Sequence, residues 1–242
     1  MRSRIAKVIT QLLLGNHESS PDSSISITNP LVINLFKANS NNTFLVSFPR
    51  TGSHWLRMVM ELYFGRPSLT RVFYYHDRTD YLTLHTHDLD LDVRHPRVLY
   101  LYREPVATIY SQLSYHEEDL DDQERIAYWS ELYGQHLAKW LVLEDFTIQK
   151  TVLRYEGMRH DLVTEFEKVV NHFGESLNSE HLKEAEARVS KEEVKRKTQH
   201  DLHVIQLKSE YRVKREAFRK HWGSVIWDIM LAGRPYLREY FP

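Results

Sequence analysis

The chain has 242 residues, 42% of them apolar and 27% charged, which suits the core of one soluble domain with a small helical appendage. Its 32 lysines and arginines against 33 aspartates and glutamates give a formal net charge of −1. That balance excludes a global attraction to nucleic acid or to an anionic membrane, so any basic site is local. There is no cysteine, which excludes a disulfide framework, a thiolate zinc site and a cysteine nucleophile and fits a reducing, cytoplasmic setting.

Residues 1–15 are partly apolar but interrupted by Lys7 and Gln11, too short a run to cross a bilayer. They suit a helix docked on the domain or a weak membrane-surface helix. Residues 17–29 are rich in Ser, Asp and Asn and read as a loop. Residues 31–36 form an apolar segment of no fixed type. Next comes Phe44-Leu45-Val46-Ser47-Phe48-Pro49-Arg50-Thr51-Gly52-Ser53-His54-Trp55. An apolar run stopped by proline, a polar turn, and helical spacing of Trp55, Leu56, Val59, Met60, Leu62 and Tyr63 predict strand, loop and helix. The free N–H groups of the helix start, its positive end and Arg50 together suit a bound oxyanion, and Gly52 lets the backbone approach it. With a single glycine the stretch does not meet the G-x-x-x-x-G-K-[ST] loop of nucleotide triphosphatases. By itself it also reads as an ordinary strand-turn-helix.

The next loop carries Phe73, Tyr74, Tyr75, His76 and Tyr81. These rings with polar tips read equally as an acceptor pocket and as lid packing. Residues 81–87 alternate as a strand, with Leu82 and Leu84 on one face and Thr83, His85 and His87 on the other. Val98-Leu99-Tyr100-Leu101-Tyr102 is a buried strand, and Arg103-Glu104-Pro105 leads into a second helix marked by Val106, Ile109, Tyr110 and Leu113. Two strand-to-helix units in succession predict an α/β fold with ligands at the carboxyl ends of parallel strands. The acidic stretch 117–122 reads as a solvated loop. A helix is expected over residues 123–143, a third strand over 150–155, and another helix ending at Gly174. Residues 175–216 are charged and helical in character, and apolar density returns from Phe218.

Arg103 and Ser111, eight residues apart with the small Ala107 between them, lie on one helical stripe that leaves room for a phosphate. An arginine paired with a surface carboxylate and an incidental serine would give the same pattern. His85 and His87, sharing a strand face near Asp88 and His76, also admit a metal site, although no second cluster has ligand spacing.

Taken together, these motifs resemble the sulfotransferases that use 3′-phosphoadenosine 5′-phosphosulfate (PAPS). Pro49-Arg50-Thr51-Gly52-Ser53-His54-Trp55 is similar to their PKSGTxW phosphosulfate loop, with Arg50, Thr51 and Ser53 as close replacements. Arg103-Glu104-Pro105-Val106-Ala107-Thr108-Ile109-Tyr110-Ser111 resembles their 3′-phosphate motif, with Glu104 and Ala107 in place of Asn and Asp. His85-Thr86-His87 resembles their Lys-Thr-His catalytic stretch, with His85 in place of lysine, so the lysine's share of charge stabilisation falls to Arg50 or to a partly charged His85. Tyr155-Glu156-Gly157-Met158 is similar to a segment whose tyrosine contacts adenine. Phe218-Arg219-Lys220-His221 looks like a degraded Arg-Lys-Gly loop over the 3′-phosphate.

The resemblance implies a P-loop-like three-layer domain with a central parallel sheet flanked by helices and a helix-rich C-terminal part. An N-terminal extension (1–40), a nucleotide-binding core (43–174) and a helical part (175–242) make up one domain. It further implies PAPS as donor, adenosine 3′,5′-bisphosphate (PAP) as product, His87 as base and Arg50 as its partner at the reacting centre. Arg50, Thr51, Gly52, Ser53, His54, Trp55, Arg103, Ser111, Tyr155, Arg219 and Lys220 would bind the donor without a metal. Tyr74, Tyr75, His76 and His85 are candidates for the acceptor, a carbohydrate or small alcohol; no nucleic acid or transmembrane segment is expected. An ATP-dependent small-molecule kinase and a non-catalytic nucleotide-binding protein are the rival readings.

Overall fold

The computed structural model describes residues 24–143, 146–199 and 209–242. Strand β1 (Ile25–Ser26) is followed by helix α1 (Pro30–Ala38), β2 (Thr43–Ser47), α2 (Ser53–Phe64), the short strands β3 (Ser68–Leu69) and β4 (Arg71–Val72), β5 (Thr83–Thr86) and β6 (Arg97–Tyr102). Then come α3 (Pro105–Tyr115), α4 (Gln123–Leu137) with a π-helical turn over Ala138–Leu143, and β7 (Gln149–Arg154). The chain continues through α5 (Tyr155–His160), α6 (Leu162–His172), α7 (Ser179–Ala187), α8 (Lys191–Lys197), α9 (Ser209–Leu231) and a 3₁₀ turn at Pro235–Tyr240.

Five strands run parallel in the order β3-β5-β2-β6-β7, while β1 and β4 form a separate antiparallel pair. Every residue of β2 is buried because helices cover both sheet faces. Phe44 and Val46 join a core with α3, α4 and α9, whereas Leu45 joins the opposite core with α2 and α6. Fully burying each such side chain stabilises by roughly 1.5–3 kcal/mol. From β2 the chain builds outwards to β5, then crosses to β6 on the other side. The crevice beyond the ends of β2 and β6 is therefore the topological switch point, where open parallel sheets bind ligands.

Several local expectations change. The alternating strand is shorter, β5 beginning at Thr83, because the N–H of Leu82 bonds to the carbonyl of Pro67 before the ladder starts. Leu82 and Leu84 consequently enter different cores. The apolar segment at 31–36 is helical: Asn29 accepts from the N–H of Leu31 and Pro30 occupies the first turn. The helix expected over 123–143 stays α-helical to Leu137 and then widens into the π turn, burying Trp140 and Leu141. In the acidic stretch, Asp122 caps α4 by accepting from the N–H groups of Glu124 and Arg125. Residues 1–15 lie outside the described residues. Among the described residues, no helix is long and apolar enough to cross a membrane.

One buried histidine ties core to site. His136 is fully buried; its Nδ1 accepts from the Tyr100 hydroxyl (2.9 Å) and its Nε2 donates to the His87 carbonyl (2.9 Å). Burial pulls its pKa from 6.5 down to about 3. The unfolded chain therefore binds a proton that the folded chain refuses between those values. This contribution to stability is complete above about pH 6.5 and fades as pH falls towards 3. Glu61, which burial pushes from 4.5 up to about 7, acts in the opposite direction. Comparing His136→Gln with the parent isolates the histidine: the gap between their urea midpoints is expected to narrow below pH 6.5. A gap independent of pH would contradict this.

Candidate active site

The loop after β2 is held open by its own backbone. Arg50 adopts φ 68° and Gly52 φ 98°, two left-handed positions separated by one residue. Thr51 is buried and its hydroxyl donates to the carbonyl of Phe48 (2.9 Å), pinning the turn. Leu56 is the first residue whose N–H reaches back, to the carbonyl of Gly52. The N–H groups of Ser53, His54 and Trp55 thus have no acceptor within the helix, as the first turn of any helix requires. A Cβ on Gly52 would lie 2.5 Å from the Tyr155 ring. Gly52→Ala is expected to cost about 1–2 kcal/mol, or about 2–8 °C in thermal midpoint; an unchanged midpoint would show that the turn relaxes freely.

The loop after β6 meets it. The N–H of Arg103 donates to the Tyr133 hydroxyl (3.0 Å), which in turn donates to the carbonyl of Arg103 (2.6 Å). With its backbone pinched this way, Arg103 sends Nη1 to the carbonyl of Arg50 (3.0 Å) and lays its guanidinium 4.7 Å from the centre of the Tyr155 ring. Its Nε is buried with no partner among the described residues. Arg50 in turn donates through Nε to the Ser111 hydroxyl (3.3 Å) and sits 4.6 Å over the Tyr115 ring. Arg50, Arg103 and Ser111 therefore form one cluster. Glu104 caps α3, accepting from Val106 and Ala107, and also accepts two bonds from Arg219 (3.1 and 2.6 Å).

Beside this cluster two imidazoles, His85 and His87, meet edge to face at 4.7 Å. His87 Nδ1 lies 2.8 Å from the carbonyl of Ser47. A carbonyl only accepts, so Nδ1 carries the proton and Nε2 is left as a base. Burial lowers the His87 pKa, which keeps the ring neutral. His85 accepts at Nδ1 from Arg57 (3.5 Å) and so donates from Nε2 to the Ser47 hydroxyl (3.0 Å). Its pKa is held well below 6.5, first by burial and then by His87 and Arg57. His85 is thus neutral, which removes the expectation that it carries part of the charge. The buried cation is Arg57, 2% exposed and bonded to the carbonyl of Arg71 (2.6 Å); burial brings its pKa down to about 10, still charged at neutral pH. Asp88 is occupied by His95 (2.8 Å) and Thr86 (2.6 Å), and among the described residues no three His, Asp or Glu side chains converge on a metal position.

A cavity of about 1100 Å³ opens over both loops. Of the expected site residues it is lined by Arg50, Gly52, Ser53, His54, Trp55, His87, Arg103, Ser111 and Tyr155. Trp55 and Tyr155 meet edge to face at 6.3 Å. Thr51, Tyr74, Tyr75, His76, His85, Arg219 and Lys220 are not brought to its wall. Tyr74 instead donates to Glu193 (3.2 Å) and packs under Lys197, and Arg219 is held by Glu104. The cations of α9 that do reach the cavity are Arg212 and Arg215, joined by Arg159 and Lys191. Arg215 falls four residues after Tyr211 and three before the buried Phe218, so helical spacing from the apolar tail places it on the inward face. That signal was available in the sequence; the inward turn of Arg57 within an apolar helix was not.

A model of the sulfotransferase domain matches residues 40–237. The fold is similar to that of mouse sulfotransferase SULT7A1 complexed with PAP, at TM-score 0.54 and 15% identity, over 88% of this chain and 94% of that one. It is also similar to retinol dehydratase in complex with androsterone and inactive cofactor PAP, at TM-score 0.51 and 14% identity, over 87% and 88% of the two chains. No curated protein matches the chain.

Proposed function

The chain belongs to the sulfotransferase family, and from that premise we propose that it transfers the sulfuryl group of PAPS to an acceptor hydroxyl, releasing PAP. The observation that carries this reading is the cluster in which Arg103 and Ser111, from the β6 side, meet Arg50, from the β2 loop, inside one cavity with His87. Three features fit an adenosine bearing phosphates at both ends. Arg103 has a buried Nε unpartnered among the described residues, the Ser53–Trp55 N–H groups have no acceptor within the helix, and the aromatic Trp55 and Tyr155 line the cavity, where a purine would stack.

In the reaction, the β2 loop and Arg50 hold the 5′-phosphosulfate, and Arg103 and Ser111 hold the 3′-phosphate. Nε2 of His87 takes the proton of the acceptor hydroxyl as its oxygen bonds to sulfur; the bond from sulfur to the bridging oxygen breaks, and its electron pair leaves on the 5′-phosphate of PAP. Arg50 and the loop N–H groups stabilise that developing charge. The tautomer of His87 is set by the Ser47 carbonyl before any acceptor arrives, so no reorganisation of the base is needed. Arg212 and Arg215, the α9 cations that line this cavity, are assigned to the donor in place of Arg219 and Lys220. The acceptor is a small molecule or glycan carrying a hydroxyl.

Calorimetric titration tests the donor assignment. PAP is expected to bind at least about tenfold more tightly than 5′-AMP, because only PAP engages Arg103 and Ser111. Equal affinities would contradict it, and tighter binding of ATP than of PAP would favour the kinase reading.

A further inference from the structure

Besides Nε of Arg103 and of Arg215, a further polar group in the cavity wall has no partner among the described residues. Gln112 is 3% exposed and lines the cavity, and its amide oxygen Oε1 is buried with no hydrogen-bond partner among the described residues. Buried amide groups are rarely left unsatisfied, because the desolvation cost is then uncompensated.

The helix shows which part of the cavity Gln112 serves. It follows Ser111 and so projects about 100° further round α3. Ser111 lies on the stripe that meets Arg50. Gln112 shares a stripe with Thr108, four residues before it, and His116, four after it. The Thr108 hydroxyl donates to the carbonyl of Glu104 (2.9 Å), and the His116 ring stacks on Trp129 of α4 (6.0 Å, 8°). The same helix supplies His136, which holds the carbonyl of His87. Gln112 therefore shares the stripe of His116, which meets Trp129, and lines the same cavity as His87.

Resting on the sulfotransferase reading above, we propose that Gln112 is a specificity-determining residue of the acceptor site. Its amide binds a second hydroxyl of the acceptor, separate from the one that receives the sulfuryl group. A hydroxyl both donates and accepts, so it satisfies the amide in either orientation. The acceptor class is thus a compound with at least two hydroxyls, such as a sugar, and not a mono-alcohol.

The test compares cyclohexanol, cyclohexane-1,2-diol, cyclohexane-1,3-diol and methyl β-glucopyranoside. Each is titrated calorimetrically with and without PAP, and kcat/KM is measured with radiolabelled PAPS. At least one polyol is expected to exceed cyclohexanol by about tenfold or more, since a site built to bind a hydroxyl rejects the analogue lacking it. Gln112→Leu is expected to bring the ratio to within about twofold at unchanged PAP affinity, while Gln112→Glu, which keeps an accepting oxygen, retains most of the preference. A parent protein with no preference, a Leu variant that keeps it, or a Leu variant that loses PAP affinity would each overturn the proposal. If PAP itself fails to bind, the donor reading fails, and the titrations without PAP still decide the role of Gln112.

Discussion

Replacing His87 by alanine is expected to lower kcat by about 10²–10⁴-fold while leaving PAP affinity within about twofold. The imidazole donates through Nδ1 to the carbonyl of Ser47 and presents Nε2 to the cavity, so it is positioned to accept a proton and contributes no charge to donor binding. The direction of its pKa gives a second readout. Burial lowers the value below the ordinary 6.5, outweighing the bond to Ser47, which raises it. The acid limb of kcat/KM is therefore expected to have its midpoint below pH 6.5. An acid limb with its midpoint above 6.5, or a variant whose loss appears in PAP affinity instead of turnover, would remove His87 from the role of base.

Arg103→Ala is expected to weaken PAP binding by about 10- to 100-fold, with 5′-AMP affinity changed much less. A charge-assisted hydrogen bond to phosphate is worth roughly 1.5–3 kcal/mol. The guanidinium is preorganised for it by the carbonyl of Arg50, by the Tyr155 ring and by the Tyr133 pinch on its backbone. Arg103→Lys keeps the charge and loses the fork, so it should recover only part of the loss. Equal losses for PAP and AMP would mean that Arg103 supports the β2 loop without touching the 3′-phosphate.

The elements that build the cavity floor were legible for local reasons. Pro49 ends an apolar run, Pro105 opens a helix, and both strands are continuous enough to read as buried on two sides. The placement of Arg50, Arg103 and Ser111 follows once those strands are neighbours, as their register shows. What was not legible depends on partners far along the chain. Tyr74 leaves the cavity because Glu193, 119 residues later, accepts its hydroxyl. His85 is neutral first because the fold buries it, with His87 and with Arg57, 28 residues earlier, adding to the effect. Arg219 is removed from the cavity by Glu104, the residue that replaces the family asparagine.

In this mechanism a single adenosine reaches both loops at once. A crystal structure with PAP tests it directly. The 3′-phosphate is expected on Arg103 and Ser111, the 5′-phosphate on Arg50 and the N–H groups of Ser53 to Trp55, and the purine against Trp55 and Tyr155. A bound PAP with either phosphate outside these contacts, and Arg103 still directed only at the carbonyl of Arg50, would contradict it.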